Sequence, residues 1–167
     1  MNSINNNITL FLDLDGVLSN TRQYYTNRKK WHPMYNCYKF DEKCVKVLNE
    51  ILDKFPLTII LSSDWKSRYS LEQLNDIFKW NKVNCNISDI TPDLWGVEYF
   101  SLQELEVCRA VEIRQYIDGH KIEKFFIIDD LDLLPWFPDN FVRTPKSDEG
   151  IKQSGIKDKI SNKLNLL

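Results

Sequence analysis

At 167 residues, 43% of them apolar, the chain can bury one ordinary core and is too short for a second independent domain. Its 22 basic and 24 acidic side chains leave a net charge of -2, which excludes binding of polyanions through overall charge, so any affinity for phosphate must be local. Cys37, Cys44, Cys85 and Cys108 form no Cys-x-x-Cys pair and stand apart from His32 and His120, which excludes a zinc pattern and reads as reduced, structural thiols.

Residues 1–7 are polar and asparagine-rich, and read as a frayed end. No basic stretch leads into an apolar one, and no apolar run reaches membrane-spanning length, so a soluble cytoplasmic protein is expected. Ile8 to Leu14 lacks helical spacing and reads as a strand buried on both faces. Residues 19–40 then carry Arg22, Arg28, Lys29, Lys30 and Lys39 with no acidic residue, interleaved with Tyr24, Tyr25, Trp31, Tyr35 and Tyr38. Asp41 is placed as an N-cap, with Phe40 and Val45 as a hydrophobic staple, and a helix follows until Pro56 stops it.

Leu57 to Leu61 is a second buried strand, followed by Ser62-Ser63-Asp64-Trp65-Lys66 and a helix over 71–80. A short strand is expected over Val83–Ile87 and irregular chain over 88–101. Leu102, Leu105, Cys108, Val111, Glu112 and Tyr116 mark one face of the next helix, ending near Asp118-Gly119 with glycine as the C-cap. Lys124 to Ile128 is the third strong strand, running into Asp129-Asp130. A last short strand over 141–143 and a weakly helical segment over 151–164 close the chain. Strands separated by helices at this spacing predict an α/β fold, a Rossmann-like three-layer sandwich around a central parallel sheet, in a single domain over 1–167.

Three apolar runs end in reactive side chains: Asp13 and Asp15, Ser62 and Ser63, Asp129 and Asp130. In an open parallel sheet these carboxyl ends lie along one edge, where ligands bind. Carboxylates this close repel one another unless a cation lies between them or one keeps a proton, and Gly16 allows a tight turn beside them. The set suits phosphoryl transfer through an aspartyl-phosphate: one carboxylate attacks phosphorus, a second moves the proton, and Mg²⁺ takes oxygen ligands.

In the same order, Asp13-Leu-Asp-Gly-Val resembles motif I, Leu-Ser62 motif II and Ile128-Asp129-Asp130 motif IV of the haloacid dehalogenase-like (HAD) superfamily. Ser-Ser-Asp-Trp-Lys, with Arg109-x-x-Glu112-Ile113, is similar to the HAD domains of RNA repair proteins. The resemblance implies Asp13 as nucleophile and Asp15 as general acid/base. It implies Mg²⁺ held by the carboxylates of Asp13, Asp129 and Asp130 and by the main-chain carbonyl of Asp15. It also implies a phosphate site made by Ser62, with Ser63 as its turn neighbour, and by a motif III cation on the preceding helix, assigned to Arg109 with Arg114 as the competitor.

An acid at position 15 favours hydrolysis of a phosphate ester. Residues 19–40 are too short for a full cap domain, so a minimal cap and an open site are expected. That span reads either as a solvated flap or as a recognition flap in which Arg28, Lys29, Lys30 and Trp31 meet a nucleic-acid end or nucleotide. A phosphoprotein or small-metabolite phosphatase, and a phosphate-binding module without turnover, are the alternatives. Trp65 and Cys108 read as packing residues and His32 as exposed or packing, while Asp132 is either a loop cap or a site residue.

Overall fold

A computed structural model describes residues 7–20, 31–94 and 101–167. The central strand is β1 (Ile8–Leu12), flanked by β2 (Leu57–Leu61) and β4 (Phe125–Asp129), with β3 (Ile87–Ile90) and β5 (Phe141–Arg143) outside them. All pairings are parallel, in the order β3-β2-β1-β4-β5. The register sets Leu12 opposite both Leu61 and Ile128, and Asp129 opposite Arg143. This is the expected α/β, Rossmann-like arrangement.

Each strand in the middle of the sheet is apolar on both faces because helices cover both. Leu10 and Leu12 face a core shared with α1 (Glu42–Lys54), α2 (Leu71–Trp80) and α4 (Ile156–Leu164). Phe11, Ile60 and Ile127 face the other core, built on α3 (Leu102–His120) with Leu133 and Phe137. From β1 the chain moves outward through β2 and β3, then returns by α3 to β4 on the other side of β1. The carboxyl end of β1 is therefore the switch point of the sheet, where a crevice opens.

Four elements depart from the sequence reading. β1 stops at Leu12 rather than Leu14, because the N–H groups of Leu18 and Ser19 turn back onto the Leu14 carbonyl at 2.9 and 2.8 Å. β3 is Ile87–Ile90 and not Val83–Ile87; Asn75 and Asn49 fix the preceding turn by accepting from the N–H of Ile87 and Asn84. α3 runs through Gly119 to His120, and the left-handed cap is Lys121 (φ 53°), since His120 stacks on Tyr116 and ties its Nδ1 to the Tyr116 carbonyl. The segment over 151–164 is split by Gly155 (φ 80°) into a 3₁₀ turn, Gly150–Lys152, and α4.

The buried face of α3 also differs from the apolar stripe. Leu102 is 60% exposed, Cys108 is half-buried, and Arg109 and Glu112 turn inward with Ala110, Ile113, Tyr116 and Ile117. His32 packs as expected, against Tyr35 and Trp80. No helix among the described residues is long and apolar enough to cross a membrane.

Asp41 joins three parts of the chain. Its Oδ1 accepts the Lys43 N–H at 2.8 Å, capping α1, while Oδ2 accepts from Asn20 at 2.9 Å and from the Lys152 ammonium. Asp41→Ala is expected to lower the unfolding free energy by about 2 kcal/mol, the upper end for a lost N-cap. Urea denaturation at unchanged m-value measures it.

Candidate active site

The parallel ladder continues one residue past the strands and levels the site. The N–H of Asp13 donates to the Ile128 carbonyl, that of Ser62 to Leu12, each at 3.0 Å, and that of Thr144 to Asp129 at 2.9 Å. Asp13, Ser62 and Asp129 therefore sit side by side at one sheet edge, all buried. Gly16 turns the chain beside them at φ 72°, and a Cβ there would lie 2.2 Å from Asp130 Oδ2. Only glycine meets both the dihedral and the close approach.

Arg109 reaches this edge from α3, across the second core. Its Nη1 donates to Asp129 Oδ2 at 2.7 Å and to Asp13 Oδ1 at 3.2 Å, and its Nη2 donates to Asp64 Oδ1 at 2.9 Å. Burial alone would lower the guanidinium's pKa, but Asp129, Asp13 and Asp64 outweigh it and hold the charge firmly in place. Of the two motif III candidates, the structure brings Arg109 to Asp13. Arg114 lies elsewhere, over the Phe137 ring and near the Trp136 carbonyl.

One guanidinium does not balance the acids around it. One carboxylate oxygen each of Asp13, Asp129 and Asp130 lies within 4.8 Å of the others. Burial, then the Asp129 charge, pushes the Asp13 carboxyl well above its usual range, and Asp130 rises to about 6 for the same reasons. Burial raises Asp129 too, against the pull of Arg109 and of the Leu131 N–H that Oδ1 accepts at 3.0 Å. Three crowded oxygens that resist ionisation are a fitting donor set for a hard divalent cation.

The Asp15 carboxylate stands outside this cluster. It accepts the Trp65 indole N–H at 2.9 Å and lies 4.0 Å from Arg68. Half its surface reaches water, yet desolvation by the chain around it raises its pKa against the opposing effects of Trp65, Arg68 and Ser19. The two acids of the Asp13-x-Asp15 pair are thus separated into different environments. Beside them the hydroxyls of Ser62 and Ser63 are buried with no hydrogen-bond partner among the described residues, so two donors remain for an oxyanion.

A buried ion pair braces the floor. Lys66 donates to Glu112 and, at 3.1 Å, to Thr91 Oγ1, while Glu112 Oε1 accepts the Leu94 N–H at 3.2 Å. This joins the turn after β2, the end of β3 and the α3 turn that carries Arg109. Asp132 serves the loop: its carboxylate accepts from Arg143 and from the Leu134 N–H, each at 3.2 Å. Trp31 is exposed and forms an antiparallel bridge with Tyr38, while Arg28, Lys29 and Lys30 lie outside the described residues.

With this geometry, a family model described as the HAD domain in Swiss Army Knife RNA repair proteins matches residues 9–155. The chain belongs to this HAD family. No curated protein and no solved structure gives a significant match.

Within the HAD domain, the contacts that escaped the sequence reading are those of Asp64, the third carboxylate on Arg109, and of the Lys66–Glu112 pair. Glu112 carried a signal, since it falls on the helical stripe of α3 three residues from Arg109, and a carboxylate there must find a partner. Asp64 stood in the Ser-Ser-Asp-Trp-Lys stretch, but its contact with Arg109 is made only in three dimensions.

The crowded acids set a pH dependence. A carboxyl raised in the folded state lends stability that is complete below its unfolded pKa and is lost as pH rises through its folded one; for Asp130 that window runs from 3.8 to about 6. In EDTA, the melting temperature of this HAD domain is expected to fall as pH rises through that window, and Asp130→Asn to flatten the fall. Mg²⁺ at 100-fold over its Kd should add about 2.7 kcal/mol, roughly 5–10 °C, to the wild type at neutral pH and much less to the variant. Differential scanning fluorimetry reads both effects.

Proposed function

We propose that this HAD domain is a Mg²⁺-dependent phosphatase that forms an aspartyl-phosphate on Asp13 and removes a terminal phosphate from a nucleic acid or nucleotide. The observation that carries the reading is the division of the acids: Asp13 is buried beside Arg109, Asp129 and Asp130, and Asp15 stands apart at the mouth on Trp65. The RNA repair proteins in which this HAD domain is described support the substrate class.

The residues divide the work as follows. Asp13, Asp129 and Asp130 hold the cation, which when bound neutralises the phosphate and the attacking carboxylate. Arg109 favours the ionised form of Asp13 and orients it, and the Ser62 and Ser63 hydroxyls donate to phosphoryl oxygens. An Asp13 carboxylate oxygen bonds to phosphorus as the bond to the leaving oxygen breaks, and Asp15 gives that oxygen a proton. Asp15, now ionised, takes a proton from water, whose oxygen attacks phosphorus and frees both phosphate and Asp13. The raised pKa of Asp15 suits a group that must hold a proton first and accept one afterwards.

Asp13→Asn is expected to lower turnover by about a thousandfold or more, about 4 kcal/mol of barrier, and EDTA to abolish it. A panel of oligonucleotides with 3′, 2′ or 5′ phosphate, mononucleotides, phosphopeptides and an aryl phosphate checks the substrate class. Turnover that survives both Asp13→Asn and EDTA contradicts the mechanism. Preference for the phosphopeptide contradicts the nucleic-acid reading alone.

A further inference from the structure

On the phosphatase reading, Asp15 hands its proton to the leaving oxygen, so the leaving group must rest against whatever surrounds Asp15. Two exposed side chains are carried there by different elements. Arg68 follows the 3₁₀ turn Asp64–Ser67, directly after the buried serines, with its main-chain N–H on the Trp65 carbonyl at 3.1 Å. Its guanidinium stands 5.7 Å from the Trp65 ring centroid and 4.0 Å from Asp15, and 56% of the side chain is exposed. A long, exposed pair of this kind adds little to stability.

The other side chain comes from the chain leading into α1. Ser19 forms a parallel bridge with Asp15, and its hydroxyl donates to Tyr38 Oη at 3.4 Å. The Tyr38 ring meets Trp31 edge-on at 6.0 Å, and Trp31 presents an indole that is 43% exposed. A planar cation thus lies beside the proton donor, and an exposed tryptophan is tied to the same turn through Tyr38 and Ser19, while the metal-binding acids lie on the strand ends.

We infer that Arg68 and Trp31 form a leaving-group subsite for single-stranded polynucleotide, an inference that rests on the phosphatase reading above. Arg68 takes the phosphodiester next to the terminal phosphate, and Trp31 stacks on a base. The guanidinium fork fits phosphate geometry, and stacking on an indole tolerates any base. A small phosphorylated metabolite engages neither group, and a phosphopeptide brings neither a second phosphate nor a base. The leaving group of such a substrate is a polynucleotide hydroxyl, and selectivity for chain over monomer resides beside the acid.

The experiment compares kcat/KM of the full chain on a single-stranded oligonucleotide and on a mononucleotide bearing the same terminal phosphate, across a salt series. Arg68→Ala should lower the oligonucleotide value at least about tenfold more than the mononucleotide value, and make its log–log salt dependence shallower by about 0.7, the slope of one phosphate contact on a single strand. Arg68→Lys should restore the slope. Trp31→Ala should lower the oligonucleotide value roughly tenfold, as loss of one stacked base does, at the wild-type slope. An equal fall on both substrates, or an unchanged slope in Arg68→Ala, overturns the subsite. If the wild type cleaves the mononucleotide in an Asp13-dependent way but the oligonucleotide no better, the subsite fails and the phosphatase reading stands. If neither is cleaved, both fail.

Discussion

Three carboxylates, Asp13, Asp129 and Asp130, crowd one edge of a parallel sheet around a single guanidinium, and the site is organised by how that charge is balanced. The crowding follows from the register, since Leu12 and Ile128 are partners and the next residue on each strand is an acid. A slip by one residue would swap every side chain of a strand between two differently packed cores. The hydrogen-bonded register therefore forces the acids together. Arg109 offsets part of the repulsion, but burial first and the neighbouring Asp129 charge second still hold the Asp13 and Asp130 carboxyls above their usual range, which favours a cation among them.

Placing Arg109 has a structural cost that α3 meets. A buried guanidinium needs partners on every side, and it finds Asp13 and Asp129 below it and Asp64 at the rim. One turn further on, Glu112 is buried with Lys66, and that pair ties α3 to the turn bearing the serines and to the end of β3. An apolar pair could be as stable in that position. The ionic one fixes the distance between the helix that supplies the cation and the turn that supplies the hydroxyls. α3 is consequently a poor amphipathic helix, with Leu102 exposed and two charges inside.

The same features decide what could be read from sequence. Asp13, Ser62 and Asp129 were legible because each follows directly on an apolar strand and strand order brings them to one edge, and Asp15 and Asp130 because they come one or two residues later in the same motifs. The sheet and its helices were legible for the same reason, as was Asp41 as a cap. β3 was misplaced because Ile87-Ser-Asp-Ile90 is short and half polar, and asparagine side chains rather than apolar pattern set its start. The end of α3 was misplaced because an aromatic stack outweighed the preference for glycine. Asp64, Arg68 and Lys66 act through contacts across the fold, which leave little periodic trace in the chain.

In the proposed mechanism Asp13 carries the phosphoryl group between the two half-reactions. The most direct test is rapid acid quench of the Asp15→Asn variant with Mg²⁺ and an aryl phosphate, whose leaving oxygen departs without the proton that Asp15 would give, followed by peptide mass spectrometry. Without a base to activate water, the intermediate should accumulate as one phosphoryl group on the peptide containing Asp13, stable to acid and released by hydroxylamine. A phosphoryl group on any other residue, or product released with no phosphoenzyme at any time point, would contradict it.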